Sequence, residues 1–420
     1  MTPLLKAAVL CLLLSAKMVY GQVDDEDDFD EDFGDEEEMV EEEAPKKMTS
    51  EISGSFGGDY RYFPKEGLYD GQENEYFSTV FKPEIYLEWN EGKQLLQFTG
   101  FARLDQYDTK RTHADLRELF FQSVFKKSEI SIGVKKIYWG VTESNHLADV
   151  INQYDILEGF DTENKLGQPM IHYSTQRKWG QLDFMVMPYF REMKFPGPKG
   201  RLRPPFDFSQ IQIKYESDNE EYNPDLAVRW SHSIGVFDIG VAQFYGTSRL
   251  PYFEQPDSTT FLMHYETMNR TGLDLQASTG SMLWKLEAIY RMSEREDIYA
   301  YTVGGEYTFS NLLQTGIDLG LIAEYSYDER GIAQITNLDD DLFLGTRVAF
   351  NDRQSSDLLG GVIIDQNNQT LQYFVEANRR LGDSWKMSLN ASGFDNIDEQ
   401  QFLYLLRNDG FVQFSLSKFF

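Results

Sequence analysis

The chain reads as all-β: a transmembrane antiparallel β-barrel of about 18 strands, with 16 as the fallback, behind a disordered acidic N-terminal tail. Three observations lead there. Runs of about ten residues alternate apolar and polar from Glu51 to Phe420, a secretory leader heads the chain, and the last strand ends on an aromatic. Period-2 alternation makes a strand with one apolar and one polar face. A soluble sandwich uses such strands too, but recurrence along nearly the whole chain behind a leader favours a membrane barrel, with apolar residues toward lipid and polar ones toward the lumen. After the N-terminus no apolar run reaches 18 residues, which excludes spanning helices. Mean hydropathy is negative because half of each strand faces water.

In chain order, residues 1–21 form the signal peptide: Lys6, an apolar run Ala7–Ala16, then small or turn-forming residues up to Gly21. Lys17 interrupts the region before the cut. Cys11, the single cysteine, lies in the apolar run and leaves with the leader. A lipoprotein role for it is poor, since too little apolar sequence precedes it. The mature chain then holds no thiol, hence no disulfide, thiolate metal site or cysteine nucleophile. Residues 22–50 form the tail, in which Asp24–Glu43 carries 15 acidic residues among 20 positions. Self-repulsion and the lack of core material keep such a segment disordered. It supplies about half of the net charge of −30. Binding of divalent cations or of a basic periplasmic partner is one reading of the tail; a plain solvated tail is the other.

The barrel, residues 51–420, divides into strands near 51–63, 77–90, 94–105, 113–126, 129–140 and 168–177. The next six lie near 180–191, 223–233, 235–246, 261–278, 281–292 and 298–309. The last six lie near 315–326, 341–350, 356–365, 369–380, 384–394 and 402–420. Short turns such as Asn90-Glu91-Gly92-Lys93 and Gly382-Asp383 alternate with longer links, as periplasmic turns and outer loops do. Parity requires an even count, so Asn408-Asp409-Gly410 is expected to kink one long final strand rather than to turn a hairpin.

A charge on the lipid face costs about 2–4 kcal/mol at the midplane, so the charged face of each strand is the lumen. This puts Arg103, Lys135, Arg191, Arg229, Lys285, Arg291, Arg347, Arg380 and Lys386 inward. Asp105, Asp183, Asp238, Asp274, Glu287, Glu306, Asp318, Glu324 and Glu376 join them. With nine of each sign, the wall declares no ion preference.

The most distinctive stretch runs from Lys136 to Pro205. It holds Ile137-Tyr138-Trp139-Gly140, Ile151-Asn152, Lys165-Leu166-Gly167-Gln168-Pro169 and Phe195-Pro196-Gly197. It resembles a family of Gram-negative outer-membrane porin-like β-barrels, in which a strand ending in Trp-Gly runs into an Ile-Asn-bearing loop. A final Phe420 is similar to the signature read by the bacterial barrel-assembly machinery. The resemblance implies a barrel of the bacterial outer membrane and transport; it brings no substrate and no catalytic residues with it.

Two loops in this stretch are candidate sites. In 141–167, Leu147, Val150, Ile151 and Tyr154 recur at helical spacing, which predicts a short amphipathic helix. Glu143, Asp149, Asp155, Glu158, Asp161 and Glu163 oppose Lys165 alone, a net charge of −5. The third loop of general porins folds inward, and by that resemblance this one would narrow the lumen opposite Arg103, Arg191 and Arg229; a surface cap is the alternative. The next long loop carries Lys194, Lys199, Arg201 and Arg203, which could bridge lipopolysaccharide phosphates or draw in anions, or could simply be solvated.

Enzyme chemistry finds little footing. His113, His146, His172, His232 and His264 show no metal-ligand spacing such as H-E-x-x-H, and no G-x-S-x-G occurs. No metal, cofactor or catalytic residue is expected, and the acidic balance speaks against nucleic acid. The favoured expectation is a porin-like channel for small polar or charged solutes, with outer-membrane lipids, lipopolysaccharide and the assembly machinery as partners. A structural or adhesive barrel with a plugged lumen is the alternative, and an outer-membrane hydrolase comes third. A homo-oligomer stays open, since nothing in the sequence displays an oligomer face.

Overall fold

Residues 48–159, 163–203, 205, 211–254, 261–331 and 338–420 are described by the structure, a computed structural model. The leader and residues 22–47 of the tail lie outside them. In chain order the strands are β1 (Thr49–Tyr62), β2 (Glu75–Trp89), β3 (Gln94–Asp105), β4 (His113–Val124), β5 (Ser128–Lys135), β6 (Gln168–Arg177) and β7 (Gly180–Met187). Then come β8 (Gln212–Tyr215), β9 (Asp225–Ile234), β10 (Phe237–Thr247), β11 (Tyr252–Glu254), β12 (Leu262–Tyr265), β13 (Thr267–Thr279) and β14 (Met282–Ser293). The last are β15 (Asp297–Phe309), β16 (Asp318–Asp328), β17 (Asp340–Ala349), β18 (Asp357–Asp365), β19 (Leu371–Leu381), β20 (Trp385–Asp395) and β21 (Phe411–Phe419).

Eighteen strands form one antiparallel sheet, and β8, β11 and β12 form a separate small one. The large sheet closes on itself. β1 pairs with β2 on one side and with β21 on the other, from Ser55↔Phe419 to Tyr62↔Val412. Gly54 and Phe420 exchange both backbone hydrogen bonds at 3.1 Å, so the final residue completes the seam. Closure leaves no free edge, which is what allows strands to cross a bilayer.

The two faces separate as alternation requires. Phe56, Phe77, Tyr245, Trp284, Tyr290, Tyr299, Leu321, Tyr373 and Phe414 are exposed on the outside, while Arg103, Lys285, Glu287, Arg291 and Glu324 are buried within. An apolar, aromatic-rich belt around a polar interior makes this a transmembrane barrel.

The strand bounds depart from expectation in four places. Alternation continues past Lys135, but the chain leaves the ladder there, since the Lys136 and Ile137 N–H groups bond to the side chains of Glu118 and Asn152. The strand expected to reach 191 ends at Met187, because Pro188 has no N–H for the ladder and the Phe190 N–H bonds to the Glu221 carbonyl at 2.7 Å. The run near 261–278 divides into β12, which pairs with β11 and β8, and β13, which enters the barrel. Before β21, Phe402–Leu406 is a 3-10 turn, so Asn408-Asp409-Gly410 is not a kink in one long strand. Asp409 instead accepts hydrogen bonds from Arg201 Nε at 2.7 Å and Leu202 N–H at 2.8 Å.

Candidate functional site

The loop from β5 to β6 enters the lumen and crosses it. Its entry and exit are set by glycines. Gly140 has φ +119°, and a Cβ there would come within 2.8 Å of Glu287 Oε1; one on Gly167 would come within 2.0 Å of the Arg117 carbonyl oxygen. Only glycine suits the first position, on conformation and on space. Asn152 ties the loop's two ends together, accepting from Ile137 N–H at 2.8 Å and donating to the Lys135 and Leu166 carbonyls at 3.0 and 2.9 Å. The expected helix over Leu147–Tyr154 does not form. The segment is a series of turns, and Tyr154 bridges to Lys165. Helical spacing arose because Val150 and Ile151 face an apolar patch of the wall (Met170, Met185, Met187, Ala227, Ala242 and Phe244), while Leu147 meets Ile289 and Ala300.

On the far side, two buried glutamates receive the loop. Glu287 of β14 accepts from Val141 N–H at 2.7 Å, Thr142 N–H at 2.9 Å, Thr142 Oγ1 at 2.7 Å and Ala148 N–H at 2.6 Å. Glu324 of β16 accepts from Glu143 N–H and Ser144 N–H, both at 2.8 Å, and from Ser144 Oγ at 2.7 Å. On the near side the donors are arginines. Arg249 reaches the Ile151 carbonyl at 2.8 Å, Arg111 that of Leu157 at 3.0 Å and Arg191 that of Gly167 at 2.8 Å. Charged groups of the far wall and of the near-side links satisfy backbone groups that would otherwise be buried without partners.

Most of the loop's carboxylates are neutralised. Glu143 meets Arg347 at 2.6 Å and Lys285 at 3.8 Å; Asp149 meets Lys165 at 3.3 Å; Asp155 pairs with Arg117. Glu158 meets Arg103 at 2.5 Å, and Glu163 meets His146 at 2.6 Å. Asp161 lies outside the described residues. Burial alone would raise Glu158, but Arg103 holds its carboxyl at about 2. At Asp149 burial wins over Lys165, and its carboxyl sits above the usual value. Arg103, Arg191 and Arg229 do not face the loop as three free charges. Arg103 also binds Asp59 at 2.6 Å, Arg191 binds Asp115 at 2.5 Å, and Arg229 binds Asp274 at 2.5 Å while lying over Trp139. Arg191 stands in the loop after β7, not on a wall strand.

Elsewhere on the wall, Arg291 pairs with Glu266, and Asp318 accepts the Asn311 N–H at 2.7 Å near a turn. Glu376 lines the lumen cavity, and Arg380 is exposed at the turn end of β19. In the basic loop Lys194 and Lys199 are exposed, but Arg201 and Arg203 are buried. Arg201 binds Asp409 at 2.7 Å and lies over Phe63, and Arg203 lies over Tyr69. These two arginines hold loops together rather than standing in water. His172 directs Nε2 to Asp183 at 3.0 Å and Nδ1 to Lys135 at 3.4 Å, which leaves neither nitrogen for a serine.

Several site residues escaped the sequence reading. Arg117 is the extra residue where the β3–β4 register shifts, Thr99 facing Glu118 and Gly100 facing Leu116. A bulge of this kind re-aims a side chain. Arg111 and Arg249 sit in links between strands, where alternation offers no signal.

Beside the loop remains a cavity of about 940 Å³. Its lining includes Ser55 and Lys82 of β1 and β2, Arg347 of β17, and Lys386, Ser388, Asn390 and Ser392 of β20. Gln413, Ser415 and Ser417 of β21 complete that wall, and Glu143, His146 and Glu158 border the cavity from the loop. Asp149 and Asp155 are not among its lining residues.

No family model matches the chain, and no curated protein does. Among solved structures, a BenF-like porin from Pseudomonas fluorescens is similar over 90% of this chain and 98% of its own, at 9% identity and a TM-score of 0.52. OccK11 of Pseudomonas aeruginosa matches 89% of this chain and 95% of its own, at 8% identity and a TM-score of 0.49. A mutant porin of Rhodopseudomonas blastica matches 89% and 100%, at 13% identity and a TM-score of 0.43. At such identities the likeness is one of fold.

Proposed function

We propose that this chain is a porin-like channel of a bacterial outer membrane, passing small polar or charged solutes through the part of the lumen that loop 141–167 leaves open. The observation that carries this reading is the asymmetric filling of the barrel. The loop is held by Glu287 and Glu324 on one side and by Arg117 on the other, and beside it lies a cavity whose lining mixes short polar side chains with apolar ones. Glu143 and Glu158 are the constriction carboxylates of this reading, Glu143 being paired with Arg347, and Lys82 and Lys386 also line the cavity. Asp149 and Asp155 keep the loop in place through Lys165 and Arg117. Because these charges are paired, the field across the opening is that of an ion-pair array rather than of a bare acidic loop. Lys194 and Lys199, on the outer surface, suit lipopolysaccharide phosphates, and the Phe420 seam suits the assembly machinery.

Purified protein in a planar bilayer tests the reading. Discrete conductance is expected, rising when loop 141–167 is shortened and changing its ion preference when Glu143 and Glu158 become glutamine. A folded barrel that stays silent both with and without the loop is instead a structural barrel with a plugged lumen.

A further inference from the structure

A second acidic group lies at the outer rim, away from the loop and its arginines. The β17–β18 register sets Asp341 directly opposite Asp365, and both point into the barrel. Asp339, two residues before Asp341, joins them, and one carboxylate oxygen from each of the three lies within 4.8 Å of the others. Like charges directly opposite on a sheet are destabilising, and these are not relieved by solvent: Asp341 and Asp365 are each 2% exposed and Asp339 is 9% exposed. Among the described residues none of the three is in an ion pair with a basic side chain.

What the cluster lacks is a cation. Asp339 Oδ1 and Asp341 Oδ1 are fully buried and receive no hydrogen bond. Such an oxygen is costly to leave bare. Asp365 is held in place by others. Its Oδ2 accepts from Gln401 Nε2 at 2.7 Å, and its Oδ1 accepts from the Asn367 and Asn368 N–H groups at 2.7 and 3.1 Å. Gln401 is fixed in turn by Thr370 Oγ1 at 2.8 Å. The other trio of this type, His113 with Asp155 and Glu158, differs in having counter-charges, because Arg117 and Arg103 already neutralise its carboxylates.

We infer that Asp339, Asp341 and Asp365 form a divalent-cation site, of calcium type, that pins the outer ends of β17 and β18 and, through Gln401, the loop before β21. The donor set is all oxygen and anionic, which hard cations require. Two ligands on one calcium at about 2.4 Å can be no more than about 4.8 Å apart, and the three oxygens lie within that limit of one another. Calcium accepts several carboxylates in flexible geometry, whereas magnesium demands near-octahedral geometry and keeps its water. The site does not depend on whether the lumen conducts.

The test uses the full barrel in detergent, stripped with EDTA and titrated with calcium chloride by calorimetry while thermal unfolding is followed in parallel. Wild type is expected to bind calcium saturably, with a dissociation constant on the order of 0.1–1 mM or tighter, and to unfold at a higher temperature when loaded. Asp341→Asn removes the like-charge pair and should fold readily. It should unfold later than wild type in EDTA, lose roughly tenfold or more in calcium affinity, and gain little from calcium. Asp365→Asn should act in the same direction. Absence of saturable binding up to about 10 mM calcium overturns the site. So does calcium binding by Asp341→Asn and Asp365→Asn at wild-type affinity, which would place the bound ion elsewhere, for instance on Asp24–Glu43. Stabilisation of wild type by acid but not by calcium would mean that the carboxylates share a proton, and would overturn the site as well.

Discussion

Inward positions along β6, β7, β9 and β10 include Met170, Met185, Met187, Ala227, Ala242 and Phe244, whereas at mid-strand along β20 and β21 they are Ser388, Asn390, Ser392, Gln413, Ser415 and Ser417, with Lys386, Phe394, Phe411 and Phe419 toward the strand ends. Both sets obey the same alternation, and both belong to one barrel. The first set is covered by Val150 and Ile151 of the inward loop, so it behaves as a domain core; burying one such side chain is worth about 1.5–3 kcal/mol. The second set faces the cavity and stays short and polar. A barrel interior is therefore not one environment. Where chain folds inside, the lumen face becomes a core, and ion pairs between loop and wall replace water. Where none does, the face keeps the composition of a passage.

The contrast can be broken most severely at Arg103. Arg103→Ala would leave Asp59 and Glu158 buried without their shared cation, and is expected to cost about 3–5 kcal/mol, read as an earlier denaturant midpoint and lost heat-modifiability on gels. Stability within error of wild type would mean that the ion pairs between loop and wall do not replace water with any gain. Next in size is Glu287→Gln, which weakens the charge-assisted bonds to Val141, Thr142 and Ala148. A loss of about 1.5–3 kcal/mol and noisier single-channel current are expected, and a quiet record would show that the loop does not need this latch.

Acidity sharpens the comparison. The folded Glu158 carboxyl is held at about 2, below its usual 4.5, so its stabilisation is complete above 4.5 and is lost as pH falls toward about 2. The stability difference between wild type and Glu158→Gln should therefore persist at pH 5 and shrink toward zero near pH 2 (window from about 4.5 to about 2). A gap that closes instead between pH 7 and 5 would point to another group. The smallest effect belongs to the open half. Asn390→Ala should change stability by less than about 0.5 kcal/mol while measurably raising conductance, and a larger stability loss would reveal packing there.

The strand scheme was legible because period 2 is imposed by both faces at once, and a slip by one residue would put Lys285 or Glu287 in lipid. The ends were less so. Tyr138 and Trp139 continue the alternation, yet their backbone belongs to the loop, and only the partner Asn152 reveals this. The inward course of loop 141–167 rested on resemblance alone, because its partners Glu287 and Glu324 lie 146 and 181 residues from the groups they hold. Its local form was misread, since a segment packed on a curved apolar wall can show helical spacing without a helix. The pairing of Arg201 with Asp409 spans 208 residues, so the basic loop looked like a solvated rim. The acidic trio was equally hidden, because it depends on the register of β17 against β18.

Chain order gives the two-sided latch a history. If the strands pair in chain order, the loop can find Arg111 and Arg117 early, but the Glu143 N–H has no acceptor on the far wall until Glu324 arrives with β16. The seam shuts later still, when Phe419 comes to lie against Ser55. Contacts so distant in sequence form slowly, because chain closure must precede any gain from them. An assembly stalled before β14 would thus lack both far-side acceptors, Glu287 and Glu324, and leave the loop held from one side only. The latch therefore needs the chain only as far as Glu324, and it can close before the seam does.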